Sequence, residues 1–304
     1  MNIIGRMKIW FFISGVTICA GIIAIVIYKP QYGIDFTGGS LLEISVPATL
    51  TKEMTTQIAR ESKIEIGTIT TSENNVFLIR TKPISESEKN VFIALINTKV
   101  GGQDKMIDER RFETIGPTVS ADLVKKAIIS VIVASLAIIA YIAFVFRKLP
   151  DYSQSWRFGI IAVIALMHDL LVTVGMFTLI GHFFGWEIDS LFITALLTVM
   201  GFSVHDTIVV FDRIRENVRR FPDHSFSTIS NESVVQTLGR SINTSMTILI
   251  TLATLLFIGG STLKPFVFTL FSGILVGTYS SIFTATPLLV VWQKYVDIKR
   301  SHKV

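Results

Sequence analysis

Gly201 to Asn217 reads G-F-S-V-H-D-T-I-V-V-F-D-R-I-R-E-N. The stretch closes a long apolar segment that begins near Leu191, so Asp206 falls inside a predicted membrane-spanning helix. At a helix rise of about 1.5 Å per residue, Asp206 lies roughly 22 Å from the Leu191 end and about 9 Å before Asp212, where the charges begin. A charge at that depth costs on the order of 3 kcal/mol on insertion scales, so a carboxylate there needs a polar interior, a partner or a proton. A protonated side chain that only helps packing is the plainer reading. A proton-binding site is the functional one, and the rest of the chain is read against it.

Half of the 304 residues are apolar, only 17% are charged, and the mean hydropathy is +0.58. Six runs approach or exceed the length of about 20 residues that a hydrocarbon core requires. They are Ile9 to Tyr28, Ala127 to Phe146, Phe158 to Ile180, Leu191 to Phe211, Asn243 to Ile258 and Phe266 to Trp292. The fold class expected is a polytopic α-helical membrane protein. The net charge of +5 does not indicate nucleic acid, because the basic residues sit at span ends. Arg6 and Lys8, then Arg147, Lys148 and Arg157, then Arg213, Arg215, Arg219, Arg220 and Arg240, and finally Lys294, Lys299, Arg300 and Lys303 share one side. The short loops of the other side hold only Lys264. The positive-inside rule therefore puts both termini in the cytoplasm.

The divisions predicted are 1–28, an N-terminus and first span; 29–122, an extracytoplasmic α+β domain; 123–292, five further spans; and 293–304, a cytoplasmic tail. The first run lacks a small-residue cleavage site and reads as an uncleaved anchor. The single cysteine, Cys19, excludes an intrachain disulfide and a Cys-based metal cluster.

The polar domain opens with Tyr32 to Ser40, Y-G-I-D-F-T-G-G-S, whose paired glycines predict a positive-φ turn. Then come a strand over Leu41 to Val46, a helix over Lys52 to Ser62, strands near Glu65 to Thr71 and Val76 to Thr81 joined at Asn74-Asn75, a helix near Glu86 to Lys99, and a strand around Met106 to Ile115. That β-α-β-β-α-β order is the ferredoxin-like arrangement. Asp35, Glu43, Asp108 and Glu109 read as solvated or loop-capping groups, Asp35 standing out beside the glycines. Glu187 and Asp189, in the loop after the third span, read as solvated.

Within the spans, Ala162, Ala165, Asp169 and Thr173 share one helix face, with His168 next to it. Ser203, His205 and Asp206 come from the fourth span. Asp212, Arg213, Arg215 and Glu216 can pair at spacings of three and four. A helix start near Ser230 or Asn231 is expected from their capping chemistry. The fifth span carries a stripe of Arg240, Asn243 or Thr244, Thr247, Thr251 and Thr254, and the sixth carries Thr269, Gly273, Gly277, Ser280 and Thr284, with Pro287 kinking its exit. These faces predict an interior holding His168, Asp169, His205, Asp206 and Arg240. Burial raises a carboxyl pKa and a nearby Arg lowers it, so a carboxylate whose distance from Arg changes would take up and release a proton. An intramembrane aspartyl protease using Asp169 and Asp206, a His/Asp metal site, and half of a small-molecule proton-coupled exporter are the alternatives. No catalytic constellation, cofactor site or Cys-based metal cluster is otherwise legible.

The chain resembles the SecF-type members of the SecD/SecF family, over essentially its full length. The resemblance is carried by the six-span plan, G-I-D-F-T-G-G-S at Gly33 to Ser40, His168-Asp169, D-T-I-V-V-F-D-R-I-R-E-N from Asp206 to Asn217, and R-S-I-N-T-S-M-T from Arg240 to Thr247. It implies a bacterial inner-membrane subunit, similar in fold to half of a resistance-nodulation-division exporter. Such a subunit acts with SecD, beside the SecYEG channel and the SecA motor, and uses the proton-motive force to help preproteins across. The resemblance also implies that Asp206 is the proton-path carboxylate and Arg240 its partner. This chain has His205 where the family usually has Asn, and an imidazole titrates near neutrality where Asn does not. His205 reads here as a hydrogen-bonding substitute.

Overall fold

The computed structural model describes residues 1–47, 50–72, 75–100, 107–145 and 156–301. Asn74, Met106, Phe146, Arg147, Lys148 and Lys303, named above, lie outside the described residues. The chain divides into two compact units.

The α+β unit comprises Tyr32–Ile128 together with Glu187–Ser190. After helix α1 (Met7–Tyr28), which belongs to the other unit, it runs α2 (Ile34–Thr37), β1 (Gly39–Ser45), α3 (Lys52–Glu61), β2 (Ile66–Ser72), β3 (Val76–Thr81), α4 (Glu86–Val100), β4 (Asp108–Ile115) and the first part of α5 (Pro117–Val145). The sheet order is β2-β3-β1-β4 with every pair antiparallel, the ferredoxin-like arrangement the element order predicts. Alternation sets the core: Leu42 and Ile44 of β1 and Phe77 and Ile79 of β3 bury against Ile58 of α3 and Phe92 and Ile96 of α4. Each such side chain contributes roughly 1.5–3 kcal/mol by leaving water. Gly38 and Gly39 take φ of 71° and 127°, and a Cβ on Gly39 would lie 2.6 Å from the Thr81 carbonyl oxygen, which explains the glycines. Asn75 supplies φ 57° at the β2–β3 turn. Glu109 is not simply solvated, because the buried Lys89 donates to it at 2.8 Å.

The helical unit comprises α1, the rest of α5, α6 (Trp156–Phe184), α7 (Ser190–Arg220) from Leu191 on, α8 (Phe226–Ile258), α9 (Lys264–Ser280) and α10 (Thr286–Ser301). Among the described residues, six helical stretches are long and apolar enough to cross a membrane, as the sequence predicts. Small residues set the close crossings, as is common between membrane helices. A Cβ on Gly175 of α6 would lie 2.3 Å from the Gly21 Cα of α1, and one on Gly277 of α9 would lie 2.9 Å from the Ser203 Cβ of α7.

One expectation for this unit is overturned. The helix that carries the fifth span begins at Phe226 and not near Ser230 or Asn231, and Ser225 caps it by accepting from the Thr228 N–H. Ser230 lies inside α8 and bonds back to the Phe226 carbonyl, while Asn231 accepts from the N–H groups of Ile3 and Ile4 at 2.8 and 3.1 Å, capping the start of the chain instead of its own helix. At Pro287 the last span carries a π-helical turn, Ser281–Ala285. Proline has no N–H to give the carbonyl four residues before it, and the ladder widens there. The paired charges at the end of α7 form as expected, with Arg215 to Asp212 at 2.7 Å and Arg213 to Glu216 at 2.5 Å.

Candidate functional site: two buried carboxylates in the helical unit

Ala162, Ala165, Asp169 and Thr173 are all buried on α6, the face their spacing predicts, and His168 is buried beside them. Asp169 has no exposed surface. Its Oδ1 accepts from His168 Nδ1 at 2.9 Å, and its Oδ2 accepts from the hydroxyls of Ser203 on α7 at 2.5 Å and Ser280 on α9 at 2.8 Å. Three helices therefore meet on one carboxylate. The imidazole's other nitrogen, Nε2, is buried and has no hydrogen-bond partner among the described residues.

Asp206 sits one turn further along α7 than Ser203 and is 3% exposed. Its Oδ2 accepts one long bond, 3.4 Å, from Ser245 of α8, whose hydroxyl lies 2.7 Å from that of Thr278 on α9. Among the described residues no ion pair joins Asp206 to Arg240.

The predicted interior is thus only partly formed by this chain. His168, Asp169 and Asp206 are inside, whereas His205 and Arg240 are exposed. The threonine stripe is exposed with them: Thr244, Thr247, Thr251 and Thr254. The physical reason is that α8 has two polar faces. Ser241 and Ser245, continued by Leu249 and Leu252, form the buried one, and the threonines lie on the other. Three of those threonines bond back to their own helix at Asn243, Thr247 and Ile250, so the stripe can lie outside the bundle without stranded hydroxyls. On α7 the exposed positions Thr194, Thr198, Gly201 and His205 recur at spacings of three and four, a second small and polar face. Ser245 and Thr278 were not singled out by the sequence reading; the spacing of Ser241, Ser245, Leu249 and Leu252 was the available signal.

Asp169 and Asp206 do not hydrogen-bond to each other but to different serines, so the shared-proton dyad of an aspartyl protease is not formed. Among the described residues no group of three or more His, Cys, Asp or Glu is placed to hold a metal ion.

The family model for the C-terminal region of the protein export membrane proteins SecD/SecF matches residues 96–295, and that for the SecD/SecF GG motif matches residues 23–46. The chain belongs to the SecD/SecF family. Its SecD/SecF relatives include the protein translocase subunit SecF of Thermobaculum terrenum, 41% identical over 300 residues that cover 93% of this chain and 91% of that one. That of Anaerolinea thermophila is 38% identical over 296 residues, 96% and 94% of the two chains. Among solved structures of the family, SecDF of Thermus thermophilus, described as a translocon-associated membrane protein, superposes with a TM-score of 0.81 at 31% identity. The match covers 97% of this chain and 39% of the SecDF chain. Membership of this family supports protein transport and leaves the protease and small-molecule exporter alternatives without support. It makes the chain a multi-pass protein of a bacterial membrane.

Proposed function

We propose that this chain is the SecF half of a proton-coupled SecD–SecF pair that uses the proton-motive force to assist preprotein translocation beside SecYEG and SecA. The observation that carries the reading is Asp206: a carboxylate 3% exposed within an apolar helix of span length, held among the described residues by one long hydrogen bond. A carboxylate so loosely held can change its protonation as Arg240 approaches or withdraws. One charge moving across a potential of about 100 mV gains roughly 2.3 kcal/mol, enough to drive a conformational step.

Asp206 and Arg240 form the core of the proposed path, with His205 beside them and the His168–Asp169 pair as a second station. The exposed polar faces of α7 and α8 would meet SecD, since a lone span has little reason to turn His205 and Arg240 toward lipid. The basic residues at the span ends support a topology with both termini in the cytoplasm and the α+β unit outside it. The translocase-subunit names of its relatives support a role in transport.

The test is electrical. Membrane patches containing SecD and this chain should carry an inward current that grows as the outer solution is acidified. Asp206→Asn should abolish the acid-dependent part at equal protein level, and an undiminished current in that variant would overturn the reading.

A further inference from the structure

Residues Glu187–Ser190 join α6 to α7 yet belong to the α+β unit, and two distant segments of that unit hold them. The Gly33 N–H donates to the Ile188 carbonyl at 2.8 Å, beside a parallel bridge between Tyr32 and Ile188. Asp35 Oδ2 accepts from the N–H of Ser190, the first residue of α7, at 2.7 Å. Arg80 of β3 pairs with Glu187, their side chains 19% and 14% exposed. Burial pushes the Arg80 guanidinium down to about 10, so it stays charged at neutral pH opposite the carboxylate. A Cβ on Gly33 would stand 3.4 Å from both the Ile188 oxygen and the Asp189 Cβ, so the backbone approaches closely here.

These contacts overturn the reading of Glu187 as solvated, and they make Asp35 a capping group, for the start of α7. A helix start offers unpaired N–H groups and the positive end of the helix dipole. Here the carboxylate that answers them comes from 155 residues earlier in the chain, not from the loop itself. Sixteen residues further along the same helix stands Asp206, roughly 24 Å away at about 1.5 Å per residue. An α-helix carries an axial displacement along its hydrogen-bonded ladder.

We propose that Asp35 and Arg80 are positioning residues that couple the α+β unit to helix α7. Movement of α7 at Asp206 is delivered to Ser190 and Glu187, and through Asp35 and Arg80 to the sheet. This deepens the proton-coupled reading and rests on it. It also gives the conspicuous Gly33–Asp35 stretch a mechanical task.

The test uses cells depleted of their own SecF, retaining SecD, and supplied with the full chain as wild type, Asp35→Ala, Asp35→Asn, Arg80→Glu, Glu187→Arg, the Arg80→Glu/Glu187→Arg double variant, or Asp206→Asn. Pulse-chase of a secreted precursor, with the proton gradient intact and partly collapsed, gives the gradient-stimulated rate. Coupling free energies of ordinary size predict losses of about fivefold or more in Asp35→Ala and in each single charge reversal. Membrane level and co-purified SecD should be unchanged. The double charge swap should regain most of the rate, and so should Asp35→Asn, which keeps the acceptor oxygen.

Full gradient stimulation in the single variants would overturn the proposal. So would a loss that follows degradation or separation from SecD, which would make the contacts merely structural. If Asp206→Asn keeps full stimulation the proton reading fails, whatever these variants do. If Asp206→Asn loses it and the clamp variants keep it, only the present inference fails.

Discussion

Thr278 and Ser280 stand two residues apart on α9 and serve different carboxylates. Ser280 donates to Asp169 at 2.8 Å, and Thr278 lies 2.7 Å from Ser245, which donates to Asp206. Helix α7 is shared in the same way, Ser203 reaching Asp169 while Asp206 reaches α8. The two buried acids therefore belong to one framework of α7 and α9, one bound by three donors and the other by one. Asp169 ties three helices together, whereas Asp206 is held by one long bond to α8 among the described residues.

That asymmetry predicts different costs. Interhelical hydrogen bonds in membranes average about 0.6 kcal/mol and reach about 1.7 kcal/mol, so Ser280→Ala should destabilise the purified chain by an amount in that range. Asp169→Ala strands His168 and Ser203 together, Ser280 keeping the Gly277 carbonyl at 3.2 Å, and should cost several times more, each buried unsatisfied group being worth about 1–3 kcal/mol. Denaturant unfolding in detergent micelles reads both. Equal losses would contradict the three-helix role of Asp169.

Close backbone approach makes a second prediction. Gly175→Ala places a Cβ against the backbone of Gly21, whereas Gly201→Ala meets nothing within 4 Å. Overpacking costs about 1–3 kcal/mol, so the first variant should lower the melting temperature clearly. The second should leave it unchanged or raise it slightly, since Ala restricts the unfolded chain more than Gly. Similar melting of the two variants would mean that the α1–α6 crossing is not fixed by Gly175.

In the α+β unit, Glu88 closes a capping box at the start of α4. Its Oε2 accepts from the Ser85 N–H at 2.7 Å and from the Ser85 hydroxyl at 2.8 Å, while the Glu88 N–H donates to Ser85 Oγ. Those bonds, the backbone one first, hold its carboxyl below the ordinary value of 4.5. A depressed acid stabilises the fold above its unfolded pKa, and that contribution is lost as pH falls through the folded value. Backbone amide exchange at the first turn of α4 should therefore quicken as pH is lowered below about 4.5, after correction for intrinsic exchange. Glu88→Gln should remove that extra acid dependence, and a variant that keeps it would exclude the cap as its source.

Much of the fold was legible because its signals are local. Apolar runs of span length, period-two alternation in β1 and β3, and the Gly38-Gly39 turn each follow from a few neighbouring residues. The start of α8 was misread because Ser225 to Leu238 is polar enough to pass for a loop. Nothing local reveals that Asn231 caps the start of the chain, 228 residues from Ile3. The candidate site was half legible. Asp169 and Asp206 announce themselves as acids in apolar helices, and their partners Ser203 and Ser280 were within the polar faces read from the spacing. On α8 the threonines were more conspicuous than Ser241 and Ser245, so the exposed face was taken for the inner one. Asp35, Arg80 and Glu187 could not be joined from sequence, because their meeting depends on a loop between two spans returning to a sheet formed far earlier in the chain.

The central claim is that a proton at Asp206 drives export. The most direct measurement is a pulse-chase of a secreted precursor in SecF-depleted cells given this chain as wild type or Asp206→Asn, with the proton gradient intact or collapsed. The account predicts that wild type restores gradient-stimulated maturation, while Asp206→Asn leaves only the rate of the depleted cells, at equal membrane level and with SecD retained. Maturation by Asp206→Asn that is as fast and as gradient-dependent as wild type would contradict it, and would leave Asp206 a packing residue.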